Sequence, residues 1–328
     1  MKNIFALWAV LLMLLWPCPA SAEKTVIKVA LITPEGSAWT QVLNRMADEV
    51  SGKTRGEVDF RIYPGGVSGD ELDVIRKMQA GLIHAAGFSG VGLGVLLPKI
   101  RILEAPLLYK TFAEIDLVKE KLYDEFAGDL EKCGYVLLGF AEAGFVYIFS
   151  KTDISGPDWI SKSRMWAWKG DPVAETFLKN MGISTFPLPL TDVNMGLETG
   201  MIDSFYCPPL GAVAFQWHSK IRYMLDYPVV NSTGALVMKK DIFEKLSSEN
   251  RAVLKAEARK YCAELIHTTR RDNAEAISLM QASGITLVKP TDEQIKSFDI
   301  NARKSYLENI PKIYSEELLV RVEKILGH

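Results

Sequence analysis

The chain has 328 residues, 48% of them hydrophobic and 24% charged, with a formal net charge of −2. That length accommodates two domains of ordinary size, each with its own core, and the composition is that of a soluble globular protein. A charge so near zero excludes the concentrated basic surface that nucleic acid or an acidic membrane face requires.

Lys2, the apolar run from Ile4 to Trp16 and the small residues Ala20-Ser21-Ala22 read as an export signal, residues 1–22, with the mature chain beginning at Glu23. The run is shorter than the roughly 18 to 20 residues that span a bilayer, which favours cleavage over anchoring. Pro17 stands where a lipidation signal around Cys18 wants a small residue. Cleavage leaves Cys133, Cys207 and Cys262, an odd set whose spacing matches no metal motif.

Strand, helix, strand, helix follow as Val26–Ile32, Trp39–Ser51, Val58–Tyr63 and Glu71–Ala80. Ser37 caps the first helix, and the loop before it leaves a strand's carboxyl end, so Glu35, Ser37 and Trp39 are cleft candidates or else a capped surface helix with Trp39 packed beneath. Tyr63 to Gly69 is turn chemistry, with Asp70 poised to cap the next helix. The glycine-rich run Phe88 to Gly94 has neither a dinucleotide fingerprint nor a P-loop lysine, and reads as a tight loop bringing backbone, Phe88 and Ser89 to the cleft. Leu122–Leu130 is helical. Tyr135–Ala141 and Phe145–Ser150 form one long strand broken at Glu142-Ala-Gly144, a break that suits a hinge.

A second unit of the same kind runs Arg164–Trp168, Val173–Met181, Ile183–Leu190, Asp192–Thr199, Met201–Tyr206. Met78-Gln-Ala-Gly81-Leu-Ile-His84 matches Leu197-Glu-Thr-Gly200-Met-Ile-Asp203 in character, so two related lobes are expected. Period-two alternation puts Arg164, Trp166 and Trp168 on one strand face, and the last strand runs into Phe205, Tyr206, Cys207 and two prolines. Large flat groups at the carboxyl edge of a parallel sheet describe the wall of a cavity for an organic molecule. Gly234–Lys239 reads as a strand crossing back, and Ser247 caps a helix running to about Met280, roughly 50 Å long. Gly284–Val288 is a short strand, and Thr291-Asp-Glu-Gln294 a capping box that opens a helical tail.

Catalytic and metal signatures are missing. His84, His218, His267 and His328 are scattered without metal spacing, and Gly87 to Val91 lacks the second glycine of a nucleophile elbow. No metal, no cofactor and no enzymatic activity are therefore expected.

Several stretches in their order and spacing resemble the solute receptors of tripartite ATP-independent periplasmic (TRAP) transporters of the DctP type. They are Tyr63-Pro-Gly-Gly, Met78-Gln-Ala-Gly81, Glu104-Ala-Pro106-Leu-Leu-Tyr109, Gly139-Phe-Ala-Glu-Ala-Gly-Phe145, Glu175-Thr-Phe177 with Met181-Gly182, Pro187-Leu-Pro189 and Gly200-Met-Ile-Asp203. The resemblance covers nearly the whole mature chain. It implies a periplasmic, two-lobe α/β binding-protein fold with hinge strands and a long lobe-spanning helix, a small-molecule ligand enclosed by hinge closure, and delivery to a TRAP-type integral membrane permease. Residues 23–146 with about 230–250 are assigned to lobe I, and 147–229 with about 251–328 to lobe II and the spanning helix. A receptor that presents its ligand to a membrane sensor, or a secreted enzyme on the same scaffold, are the rival functions.

Departures from the family pattern bear on specificity. The arginine that usually grips the substrate carboxylate is replaced at the matching position by Trp166, a further arginine by Val146, and an asparagine by Cys207. Loss of a bidentate guanidinium disfavours small dicarboxylates and sugar acids. Trp166, Trp168, Phe205 and Tyr206 are expected to box a flat, largely apolar or aromatic ligand, with Phe145 and Phe186 joining. Arg164, Glu142 or backbone groups would hold a polar headgroup, Arg164 a carboxylate and Glu142 a cation.

Overall fold

The computed structural model describes residues 24–327 apart from Pro157, so the export signal lies outside the described residues. Ten strands form one continuous sheet: β1 (Thr25–Leu31), β2 (Val58–Tyr63), β3 (Ala85–Ser89), β4 (Tyr135–Ser150), β5 (Arg164–Trp168), β6 (Ser184–Leu188), β7 (Ser204–Cys207), β8 (Tyr223–Leu225), β9 (Val230–Lys239) and β10 (Thr286–Val288). Their order is β2-β1-β3-β9-β4-β7-β5-β6, with β8 beside the far end of β4 and β10 beside β8. The helices used below are α1 (Ala38–Lys53), α2 (Glu71–Gln79), α3 (Gly90–Leu96), α4 (Phe112–Lys132), α5 (Pro172–Asn180), α6 (Ser248–Ala282), α7 (Asp292–Asn309) and α8 (Glu316–Leu326).

The two repeated units build equivalent halves. Strand β1 lies between β2 and β3, and β5 lies between β6 and β7, all parallel. Gly81 and Gly200, the matched glycines, adopt φ of 73° and 74°. Each stops a helix with a left-handed residue that costs glycine no steric penalty. In both halves the strand carboxyl ends point to the same crevice, where ligands of open α/β sheets collect.

Strand β4 joins the halves. Its first part, Tyr135 to Val146, pairs antiparallel with β9 in the first lobe, and Tyr147 to Ser150 pairs with β7 in the second. The expected break at Glu142-Ala-Gly144 is a register shift within an unbroken strand. The extra residue bends the ribbon without ending it, as bulges do. Gly144 has φ of 102°, and a Cβ there would stand 2.5 Å from Nδ2 of Asn273 on α6. Gly144→Ala is accordingly expected to lower the unfolding free energy by about 1–3 kcal/mol in a urea titration.

Helix α6 begins as the sequence predicts, with Ser247 Oγ accepting from the Asn250 amide at 3.1 Å. Its 35 residues extend about 52 Å. Tyr261, Cys262 and Leu265 enter the core of the first lobe, while Met280 and Ile277 pack in that of the second. Gly139 on β4 lets the strand approach it closely, since a Cβ there would lie 2.9 Å from Cys262.

Three expectations need correction. The run Phe88 to Gly94 is the end of β3 followed by helix α3, capped by Ser89, and not a loop. Helix α4 extends ten residues upstream of its predicted start because Thr111 and Glu114 form a capping box that the sequence reading passed over. The C-terminal tail does not stay with lobe II: α7 packs on α5 there, Asn180 Nδ2 donating to Ser305 Oγ at 3.0 Å, but α8 crosses to α4 of lobe I, where Arg321 meets Glu125 at 2.6 Å.

Candidate functional site

A cavity of about 220 Å³ lies between the lobes. It is smaller than the roughly 300 Å³ at which ordinary small-molecule sites begin, which favours compact contents. The first lobe supplies the loop after β1 with Trp39, the end of β3 with Phe88 and Ser89, and the segment Arg101 to Pro106. The second supplies Trp166 and Trp168 from β5, Asp171 and α5, Tyr206 and Cys207 from β7, and Phe215 and Trp217 beyond.

The indoles form a joined wall. Trp166 stacks on Tyr206 with centroids 5.2 Å apart, lies 5.9 Å from Trp168, and meets the edge of Trp217 at 5.5 Å. Its Nε1 donates to the Leu188 carbonyl at 3.0 Å, which fixes the orientation of the ring. Trp168 Nε1 donates to both oxygens of Asp70, at 3.0 and 3.2 Å. Asp70 belongs to the first lobe, where it caps α2 through the Glu71 amide, and it also accepts from the Leu190 amide of the second. This carboxylate therefore bridges the crevice.

A second bridge is ionic. Arg101 Nη2 donates to Asp171 Oδ1 at 2.6 Å, and its Nε lies 2.9 Å from Glu104 Oε2; all three side chains are buried. Glu104 also accepts from the Thr233 amide on β9, and Asp171 caps α5. Burial raises the Glu104 carboxyl while Arg101 opposes the rise. The glycines of α3 make room for this cluster: a Cβ at Gly90 would sit 1.9 Å from Glu104 Oε2, and one at Gly94 would sit 2.8 Å from Arg101 Cδ.

Glu71 is the other buried acid of the wall. It accepts from the Ser89 amide at 2.7 Å, the Ser89 hydroxyl at 2.9 Å and the Gly92 amide at 2.7 Å. Burial nevertheless pushes its carboxyl up to about 7 from 4.5, against the pull of those donors. A carboxyl raised in the folded state contributes stability that is fully present below the unfolded pKa and lost as pH climbs through the folded one. The difference in unfolding free energy between wild type and Glu71→Gln is expected to fall by about 2–4 kcal/mol from about pH 5 to pH 8, read from urea titrations across that range.

Of the residues singled out from sequence, Trp166, Trp168, Tyr206, Cys207, Val146, Ser37, Trp39, Phe88 and Ser89 line the cavity. The others do not. Phe205 points to the opposite sheet face, stacked on Phe149 at 5.0 Å, because neighbours on a strand cannot share a face with Tyr206. Phe186 packs in the second-lobe core outside the cavity, and Phe145 rests on Phe112 at 4.7 Å. Arg164 is paired with Asp203 at 3.1 Å on the outer surface. Glu142 is fully buried behind the hinge, held by Arg270 at 2.6 Å and Lys119 at 3.4 Å. Glu35 is solvent-exposed outside the cavity. Cys207 has its thiol pushed up by burial, which keeps it protonated and inert.

Sequence reading missed Arg101, Glu104, Asp171, Glu71 and Trp217. Asp171 ahead of Pro172 did carry a helix-capping signal, and Glu104 opens one of the stretches that carry the family resemblance. Nothing in the spacing paired either with Arg101.

Two α/β lobes, a strand that runs from one into the other and a cavity in the crevice between them are the architecture of a solute-binding receptor. The chain belongs to the bacterial extracellular solute-binding protein family 7, DctP, whose model matches residues 29–312. That family is periplasmic and made of receptors that serve TRAP membrane permeases. Similar solved structures are TRAP periplasmic solute-binding proteins from Ralstonia eutropha, with bound (S)-2-acetolactate, and from Haemophilus influenzae, with bound L-gulonate. The first has TM-score 0.86 and 20% identity, covering 93% of this chain and 99% of that one. The second has TM-score 0.85 and 20% identity, with the same coverage of 93% and 99%. The ectoine/5-hydroxyectoine-binding periplasmic protein UehA of Ruegeria pomeroyi is 23% identical over 299 residues, 85% of this chain and 87% of that protein.

Proposed function

We propose that this chain is a non-enzymatic periplasmic receptor that encloses a compact, flat, largely apolar organic molecule between its lobes and delivers it to TRAP-type permease subunits. Export through a signal cleaved after Ala22 places it in that compartment. The observation that carries the reading is Trp166, a buried indole face at the position where the family resemblance leads one to expect a guanidinium. An indole provides one N–H donor, already committed to Leu188, and an apolar surface that rewards stacking. Ligand contact with both lobes biases the equilibrium toward the closed form.

A sugar acid is the second reading, favoured by the L-gulonate bound to the Haemophilus influenzae protein of the same fold. Native mass spectrometry of the purified protein, followed by a thermal-shift screen of aromatic compounds against sugar acids, separates the two. Saturation at 100 times the dissociation constant adds about 2.7 kcal/mol, an easily read shift. A screen in which sugar acids alone raise the melting temperature overturns the aromatic reading.

A further inference from the structure

Among the described residues that line the cavity, Arg101 is the one cation, against the carboxyls of Glu71, Glu104 and Asp171. Its charge is already matched by Asp171 at 2.6 Å and Glu104 at 2.9 Å. We propose that Asp171, by holding Arg101 across the crevice, closes the cavity to carboxylates, so that the site selects an organic molecule without net negative charge.

This inference rests on the receptor reading above and names the charge class of its ligand. A carboxylate entering the closed cavity loses its water and finds no uncommitted cation. Taking the guanidinium for itself would leave Asp171 and Glu104 buried without a counter-charge, the costly half of breaking an internal ion pair. What the cavity does offer is neutral. Thr33, Thr233 and Thr269 line it, and their hydroxyl oxygens lie just beneath its surface without a hydrogen-bond partner in the protein. Such groups match a carbonyl, amide or hydroxyl and supply no charge. The cluster is also built into the backbone, since any side chain at Gly90 or Gly94 would collide with Glu104 or Arg101.

The test is binding, by calorimetry, of two matched pairs: phenylacetamide with phenylacetate, and glucitol with gulonate. Charge varies within each pair and shape varies between them. The uncharged member of at least one pair is expected to bind about tenfold or more tighter than its acid. In Asp171→Asn, which leaves Arg101 paired with Glu104 alone, the acid is expected to gain about tenfold relative to its partner. Tighter binding of the acids by the wild type, no binding by any of the four, or an unchanged ratio in the variant overturns the proposal. Should Asp171→Asn not fold, compounds released from denatured wild-type protein are identified by mass spectrometry, and an organic acid among them has the same force. Phenylacetate preferred over phenylacetamide sinks this inference and spares the aromatic reading. Glucitol bound in preference to every other probe does the reverse.

Discussion

Trp166→Ala is expected to lower the unfolding free energy by about 3–5 kcal/mol and to abolish the thermal response to ligand. The side chain is 2% exposed and touches Trp168, Tyr206 and Trp217, so truncation removes three aromatic contacts together and leaves a void that rigid neighbours cannot fill. Trp166→Phe separates the two roles of the indole. It keeps a ring against Tyr206 but loses the bond to the Leu188 carbonyl and part of the indole's buried volume, for about 2–3 kcal/mol, and ligand response should persist. Urea titration with and without a ligand found by the thermal-shift screen checks both variants. Ligand response in Trp166→Ala equal to wild type would remove Trp166 from the binding wall.

Glu142→Gln is expected to cost about 3–5 kcal/mol, the consequence of leaving Lys119 buried without a counter-charge. Lys119 donates to Glu142 and to the Ala141 carbonyl, both at 3.4 Å, from a side chain only 6% exposed. Arg270 is better placed to survive the change, since its two terminal nitrogens also reach Asp116 at 2.6 and 2.8 Å. The double variant Glu142→Leu with Lys119→Met should therefore recover most of the loss, because an apolar pair of similar volume needs no desolvation of charge. Chemical denaturation of Glu142→Leu, Lys119→Met and the double variant measures the coupling. A double variant as unstable as the single one would show that Glu142 acts through Arg270 and the β4 bulge instead.

Much of the fold was legible because the signals were local. The Gly81 and Gly200 stretches, the Ser247 cap and the period-two placement of Trp166 with Trp168 each occupy a few consecutive residues, and each corresponds to an observed element. The same logic, applied fully, would have excluded Phe205, which cannot face Tyr206's side of β7. The glycines at 90, 92 and 94 misled because glycine is a poor helix former. Their reason lies in side chains that arrive from elsewhere in the chain, Glu71, Arg101 and Glu104. The polar half of the site was illegible for the same cause. Arg101 and Asp171 are 70 positions apart, one inside an apolar run and the other an ordinary cap, and only the closed fold brings them to 2.6 Å. Glu142 shows the converse: an acid beside a hinge invites a ligand role, yet α4 and α6 neutralise it from behind.

The contacts described across the crevice, Asp70 with the Trp168 indole and the Leu190 amide and Arg101 with Asp171, join protein to protein. Escape of any enclosed molecule then waits on the rupture of these contacts, whatever the molecule's own hold on the walls. Residence times become a property of the receptor, and chemically different cargoes leave at similar speeds while being captured at different ones. A permease surface that competes for Asp70 or Arg101 would unload the receptor without having to recognise the cargo.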